Sequence, residues 1–461
     1  MTVARDVLAL AAADPARPAV RVHRRGGDVE LDRGTLAARV VGGATELRRL
    51  GVAHDALVAV DLADPLDQVV AMLAVDLAGA TPLMADPGWS DGQRREVLAA
   101  VRPDHHLTAP LPSATRADHR VVEVAPAAMG WAGFSSGSTG RPRAVVRTRA
   151  SWADSFAPVT ALVGTTSADT VGVPGPLASS LYCFAAAHTL ASGATLALAE
   201  RGTSPGAVMA DAGVVHTVPH GLTQLVEALD NGATSRVRTA VVGGAALPDE
   251  LRQRAAALGV SVVSYYGAVE LSFVAADADG RGLRPFTGVE IDVRPLPGSD
   301  LGEVWVRSPW TAEGYLSGAT GPLRHDADGW STVGDLGQVA ESGALVLRGR
   351  GDGAVLTGGA TVVPEDVEVV IKGVPGVVDA VVVGTPHAYL GAIVTAVVET
   401  DGRTTIRADL DAAARRGLAA AQRPRRWLAV ERLPRTSSGK PARAAVGAAL
   451  VTGALPARPL R

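Results

Sequence analysis

Residues 134–143 read FSSGSTGRPR. Ser135, Ser136, Ser138 and Thr139 supply hydroxyl donors, Gly137 and Gly140 permit the turns that aim successive backbone N–H groups inward, and Arg143 adds a guanidinium. Those groups suit an anion, phosphate above all. The spacing is not that of the nucleotide loop G-x-x-x-x-G-K-[ST] between a strand and a helix. Gly137 and Gly140 are three residues apart, no Lys-Ser pair follows, and the next segment, RAVVRTR, reads as a strand. Alone, the stretch reads equally as a Ser/Gly hairpin turn.

Four more short stretches carry reactive or ligating groups: YYGAVE at 265–270, GWSTVGD at 329–335, GRGDG at 349–353 and LPRTSSGKPAR at 433–443. They present Tyr266 and Glu270, then Asp335, then Arg350 and Asp352, then Lys440. Each has a plain reading as well: a sheet tyrosine, a surface glutamate, a Gly-Asp turn and a solvated tail lysine. Arg350-Gly351-Asp352 also spells a cell-adhesion tripeptide, taken as coincidence in a chain with cytoplasmic features. Only Lys372 and Lys440 are lysines among the 44 basic residues, so 42 are arginine (44 − 2 = 42).

The elements that must position these groups follow a clear rhythm. From about residue 30 to 280, short runs such as ALVAVDL, ATLALA, TAVVGG and SVVSYYG alternate with helical patterns such as TLAARVVGGATELRRL and PDELRQRAAAL. This predicts layered α/β architecture with largely parallel sheets. Between 285 and 350, GVEIDVRPL, LGEVWVRSP and ALVLRGR follow one another with turns and no helices, predicting a small antiparallel sheet or barrel. After GRGDG come a helix starting near Pro364, the strands VDAVVVGTP and AIVTAVVET, a helix around 406–421 and a polar tail. The expected division is a large domain at 1–350 and a small α+β domain at 351–461, joined by a tight hinge near Arg350–Gly353.

A chain of 461 residues with 47% hydrophobic composition has room for large cores and two to four domains. With 47 acidic against 44 basic residues, net charge −3 and no long basic run, nucleic-acid binding is not expected. One cysteine, Cys183, excludes an intramolecular disulfide framework and a multi-cysteine metal site, and fits a reducing, cytoplasmic location. The stretch VLALAAADPA reads as an amphipathic first helix, not a signal peptide. Asp61, Asp64, Asp67 and Asp76 interrupt the apolar runs, so no membrane span is expected.

Taken in order, SSGSTGRPR, YYGAVE, GWSTVGD, GRGDGAVLTGGATVVPEDVE at 349–368 and LPRTSSGKPAR resemble the motifs of the acyl-adenylate-forming superfamily. That superfamily includes acyl-CoA synthetases, adenylation domains of nonribosomal peptide synthetases and firefly-type luciferases. LAGATPLMADP at 77–87, GGAALP at 243–248 and GEVWVRSPWTAEGYL at 302–316 match more weakly, and the resemblance covers essentially the whole chain. It implies attack of a carboxylate on the α-phosphate of ATP, with Mg²⁺, and then thiol attack on the adenylate. It also implies that Ser135–Arg143 hold the β- and γ-phosphates and that Glu270 helps hold Mg²⁺. The nucleotide is further met by Gly244, Ala245, Tyr266 and Gly267, with Asp335 and Arg350 on the ribose. By the same resemblance Lys440 would reach the α-phosphate and the substrate carboxylate, Asp352 would be the hinge of a mobile C-terminal domain, and Gly359 would border a channel for coenzyme A or a carrier-protein arm.

Several positions depart from the pattern. Arg143 replaces a lysine, Ala144 a glycine and Arg149 a histidine; Val269 and Val333 stand where threonine is common, and Leu356 where lysine is usual. Loss of one charge-assisted hydrogen bond costs ~1.5–3 kcal/mol, so weaker ATP binding is an open expectation. In a chain this rich in arginine, Arg143 keeps the cation and can fork onto phosphate oxygens. Ala178, Ser179 and Ser180 offer no carboxylate for an α-amino group, which favours a non-amino acid; Ser179, Tyr182, His220 and Gly243 are the expected pocket residues, or else core. The leading expectation is an AMP-forming acyl-CoA ligase of specialised metabolism. Open alternatives are a stand-alone ligase loading a carrier protein, an enzyme of one half-reaction, and a non-catalytic nucleotide binder.

Overall fold

The computed structural model describes residues 2–112, 123–135, 143–296, 301–350, 353, 355–357, 360–387, 391–402, 407–418, 421–436 and 439–460. These residues form two compact units. The first holds residues up to Ser135, then 143–291 and Val306–Ser331; the second holds Asp292–Trp305 and the chain from Thr332 onward.

The first unit is layered α/β, as the alternation predicted. Its larger sheet runs, edge to edge, Arg284–Pro285, Ser272–Asp277, Ser261–Ala268, Thr239–Val242, Val214–Thr217, Thr170–Val173, Thr195–Ala199, Pro18–His23 and Val29–Asp32. The six strands from Ser261–Ala268 to Pro18–His23 are parallel. Runs such as VVHT are buried at every position because helices cover both faces of a parallel sheet. The smaller sheet runs Gly314–Tyr315, Arg143–Thr148, Met129–Ser135, Thr81–Met84, Leu57–Val60 and His105–Leu107. Met129–Ser135 and Arg143–Thr148 form an antiparallel hairpin, and Gly314–Tyr315 pairs antiparallel with Arg143–Thr148.

Helix Pro65–Leu77 is buried along almost its whole length, as an all-round apolar sequence requires. Asp64 caps it by accepting from the Leu66 and Asp67 N–H groups, with Pro65 in the first turn where a missing N–H costs nothing. Two polar residues of this helix are buried with it: Gln68, whose Nε2 donates to the Leu62 carbonyl at 2.7 Å, and Asp76, in its last turn, which finds its partner in Arg149.

In the second unit, Asp335–Val339 pairs antiparallel with Gly302–Arg307 through Gly302 and Glu303, and with Leu345–Arg350. The antiparallel pattern expected for this stretch is present. Beyond it, Val377–His387 and Gly391–Thr400 form a long hairpin, and Arg426–Val430 adds a parallel strand. Helices Pro364–Lys372 and Arg407–Gly417 pack Val367, Ile371, Leu410 and Ala414 into one core with Val382, Val398 and Trp427. Among the described residues, no helix is long and apolar enough to cross a membrane.

Candidate active site

Ser135 ends one strand of the small-sheet hairpin and Arg143 opens the next, in direct register. Both ends of the phosphate-type loop are therefore fixed by backbone pairing; Ser136, Gly137, Ser138, Thr139 and Gly140 lie outside the described residues. Ser135 Oγ is buried and has no hydrogen-bond partner among the described residues. A buried hydroxyl without a partner costs about 1–3 kcal/mol, which an anionic ligand at that point would recover. Phe134 bridges Ser179 in parallel fashion, which sets the loop after strand Thr170–Val173 beside the hairpin.

The other candidates of the first unit gather at the carboxyl ends of the parallel strands, where open α/β sheets bind ligands. Gly243, Gly244 and Ala245 follow Thr239–Val242; Gly244 has φ 85°, a left-handed turn open to glycine. Tyr266 is buried in Ser261–Ala268. A Cβ on Gly267 would stand 2.1 Å from the Ser272 carbonyl oxygen, so the hairpin that follows admits only glycine there. Ser272 itself sits at φ 62°, an uncommon conformation for a residue with a side chain. Tyr182 is buried and its hydroxyl is pushed up to about 12 by burial, against a hydrogen bond with Thr217. His220 does not join this group: it is exposed in the first turn of helix Pro219–Asp230, with Nε2 3.3 Å from Gln224 Nε2.

Glu270 lies in the turn between Ser261–Ala268 and Ser272–Asp277, only 2% exposed. Its carbonyl accepts from the Ala312 N–H at 2.8 Å. Tyr315 Oη donates to its Oε1 at 2.9 Å, while Oε2 has no partner among the described residues. Burial first, and then the Glu270 charge, push the Tyr315 phenol well above its ordinary range, so it stays a donor; the Arg143 charge acts on it in the opposite sense. Tyr315 is paired with Val145 across the small sheet, so one phenol ties the carboxylate to the hairpin that carries Ser135 and Arg143. Sequence reasoning passed over Tyr315, although it stands at the end of the GEVWVRSPWTAEGYL match.

In the second unit, Asp335 is buried at the head of its strand, after Gly334 at φ 79°, and pairs in register with Arg350. Asp352 and Gly359 lie outside the described residues. Lys440 sits in a turn closed by the Thr436 N–H donating to the Lys440 carbonyl at 2.7 Å, with Gly439 at φ 82°. Arginines pin both flanks. Arg435 bonds Asp379 at 2.9 Å and Glu399 at 3.2 Å. Arg443 bonds Glu365, and reaches both oxygens of buried Glu368 at 2.9 Å.

The substituted residue Arg149 is a core residue. It is buried against Asp76 and donates to the Ala80 carbonyl at 3.0 Å. Gly130 makes the room, since a Cβ there would stand 2.2 Å from Arg149 Cγ. Nearby Arg147 is also interior; it donates to the Ser151 and Trp310 carbonyls at 2.7 and 2.5 Å, and burial pushes its guanidinium down to about 9.

Comparison with known proteins adds an independent line. Residues 118–316 match the model of the AMP-binding enzyme family, and 366–440 match the AMP-binding enzyme C-terminal domain. The uncharacterized acyl–CoA ligase YhfT of Bacillus subtilis is 31% identical over 409 residues, spanning 80% of this chain and 83% of that protein. The chain belongs to the acyl-adenylate-forming superfamily. A second member, salicylyl-CoA synthase / salicylate adenylyltransferase of a Streptomyces species, is 30% identical over 363 residues, spanning 72% of this chain and 66% of that protein. ATP-bound MatB of Rhodopseudomonas palustris has the same fold, with TM-score 0.85 and 23% identity over 98% of this chain and 100% of that one. Among the described residues of this adenylate-forming chain, no group of three or more His, Cys, Asp or Glu could hold a metal. Mg²⁺ is commonly held by one or two carboxylates together with phosphate oxygens and water, a role that a single buried carboxylate such as Glu270 fits.

Proposed function

We propose that this adenylate-forming enzyme activates a non-amino carboxylic acid with ATP and passes the acyl group to coenzyme A, within specialised metabolism. The observation that carries the reading is the convergence in the first unit of three features: the Ser135 hydroxyl without a partner among the described residues, Arg143 across the hairpin from it, and Glu270 with one oxygen held by Tyr315 and the other without a partner among the described residues.

An oxygen of the acid attacks the α-phosphorus; the new C–O–P anhydride forms as the α–β bond breaks, and pyrophosphate leaves. Ser135–Arg143 grip the departing phosphates. Glu270 would hold Mg²⁺, which when bound supplies positive charge to the phosphate oxygens. Gly244, Ala245, Tyr266 and Gly267 border the base, and Asp335 and Arg350 take the ribose. Ser179, Tyr182 and Gly243 bound the acid. Lys440, its loop held by Arg435 and Arg443, offers a compact ammonium to the oxygens where charge develops. Residues 351–461 act as a lid turning at Asp352. The sulfur of coenzyme A, entering past Gly359, then attacks the acyl carbon; the thiol proton is lost and AMP leaves.

Pyrophosphate release over a panel of carboxylic acids tests the first step, and acyl-thioester formation with coenzyme A or a holo carrier protein tests the second. Acid-dependent release is expected; its absence with every acid rejects adenylation, and a carrier protein outperforming coenzyme A reassigns the acceptor. Lys440→Ala is expected to abolish adenylate formation while sparing transfer from preformed adenylate. Equal loss of both steps contradicts its role.

A further inference from the structure

Two tyrosine rings cover the carboxyl ends of four adjacent strands in the large sheet. Tyr182, on helix Ser180–Ala191, lies over Gly175 in the loop after Thr170–Val173; a Cβ on Gly175 would stand 1.9 Å from the ring. Its hydroxyl bonds Thr217, the last residue of Val214–Thr217. Tyr265, in Ser261–Ala268, lies over Gly243 at the end of Thr239–Val242, where a Cβ would stand 2.3 Å from the ring and 2.6 Å from Oη. The two phenols are close enough for the charge of one to raise the other.

The rings have no room to retreat. Tyr265 packs on Phe273 at 4.6 Å between centroids, Phe273 on Phe184 at 4.9 Å, and Phe184 on Phe156 and His188 at 5.3 and 5.9 Å. His188 and His216 are buried in the same layer and held neutral, pushed down by burial to about 4 and about 3. A filled aromatic layer of this kind is as dense as any core, so an acyl chain cannot push into it without displacing side chains. Tyr265 is half-buried, its Oη stands 2.6 Å from where a Gly243 Cβ would be, and it has no hydrogen-bond partner among the described residues, which leaves a donor at the floor.

We propose that Tyr182 and Tyr265 floor the acid pocket and restrict this enzyme to short carboxylic acids, with Tyr265 Oη selecting those that carry an oxygen acceptor at the far end. The proposal rests on the adenylating reading and on Ser179, Tyr182 and Gly243 bounding the acid. Medium-chain and aromatic acids meet the rings before their carboxylate can reach the α-phosphorus.

The test is acid-dependent pyrophosphate release by the intact chain with acetate, propionate, butyrate, β-hydroxypropionate, octanoate and benzoate. β-Hydroxypropionate, which matches butyrate in length, is expected to give the highest kcat/KM, and octanoate and benzoate the lowest. Tyr265→Phe should lower the ratio of kcat/KM for β-hydroxypropionate over butyrate by about tenfold, the worth of one hydrogen bond. Tyr265→Ala should admit octanoate; where it does not fold, Tyr265→Leu opens the floor with less loss of volume. Octanoate or benzoate matching the short acids in the unaltered enzyme overturns the short pocket and leaves adenylation standing. An unchanged ratio in Tyr265→Phe overturns the selecting role. Release from no acid at all removes the adenylating reading and this proposal with it.

Discussion

Asp76 and Glu270 are both buried carboxylates of the first unit, 6% and 2% exposed, and both are tied to the strand Arg143–Thr148 and its immediate continuation. Their partners differ. Asp76 has Arg149 on one oxygen and the Ala4 N–H, at 2.9 Å, on the other; the pair is complete within the protein. Glu270 has a neutral phenol on Oε1 and nothing among the described residues on Oε2. Burial alone does not separate a structural carboxylate from a functional one. The difference lies in whether the protein supplies the counter-charge itself or leaves a coordination position for something that arrives with the substrate.

The contrast breaks most visibly through stability. Asp76→Asn leaves the buried Arg149 guanidinium without its counter-charge and is expected to cost about 3–5 kcal/mol. Urea unfolding reads this as a lowered midpoint, with kcat/KM of the folded protein nearly intact. A double change, Asp76→Leu with Arg149→Met, should recover much of the loss, because removing both charges removes the unpaired one. Persistence of the loss in the double variant rejects the idea that the charge pair is the point. For Glu270→Gln the pattern inverts: adenylation falls by about a hundredfold or more and the Mg²⁺ requirement rises, while the midpoint stays close to that of the unaltered chain. A fall in stability comparable to Asp76→Asn would make Glu270 another core carboxylate.

How far the sequence carried this contrast depends on the range over which each signal acts. Local patterns located the elements well. The alternation of ATLALA and TAVVGG with helical stretches predicted the parallel sheet, and the small, hydroxyl-rich run at 134–143, read as an anion loop between strands or a plain hairpin turn, is bounded by Ser135 and Arg143, which are in register. Pairings across long separations were not legible. Glu270 and Tyr315 are 45 residues apart, and Asp76 and Arg149 are 73 apart. Period and composition do not state which strand an edge strand joins, and that pairing is what delivers Tyr315 to Glu270. Arg149 showed at sequence level only as a histidine lost. The spatial reason, a buried aspartate in a helix that otherwise reads as core, needs the fold. Tyr265 was hidden for a related reason: in a strand of alternating faces it reads as sheet core, and only the bare Cα of Gly243 beneath its ring marks the floor it forms.

The finest cut through the comparison is the donor on Glu270. Tyr315→Phe keeps the ring and its packing and deletes one hydroxyl, so the loss is confined to the hydrogen bond that orients Oε1. A group that holds a ligating carboxylate in place typically changes metal affinity 10–100-fold, and a neutral phenol belongs at the lower end, about tenfold. The expected signature is a shift of the Mg²⁺ concentration needed for half-maximal pyrophosphate release, with the rate at saturating Mg²⁺ reduced much less. Glu270→Gln should lose the larger share at saturation as well, because there the ligand itself is altered. Were Tyr315→Phe to lower the saturated rate and leave the Mg²⁺ requirement unchanged, the phenol would be acting on the phosphates or on Arg143 and not through Glu270. The open oxygen of Glu270 would then no longer be the feature that separates it from Asp76.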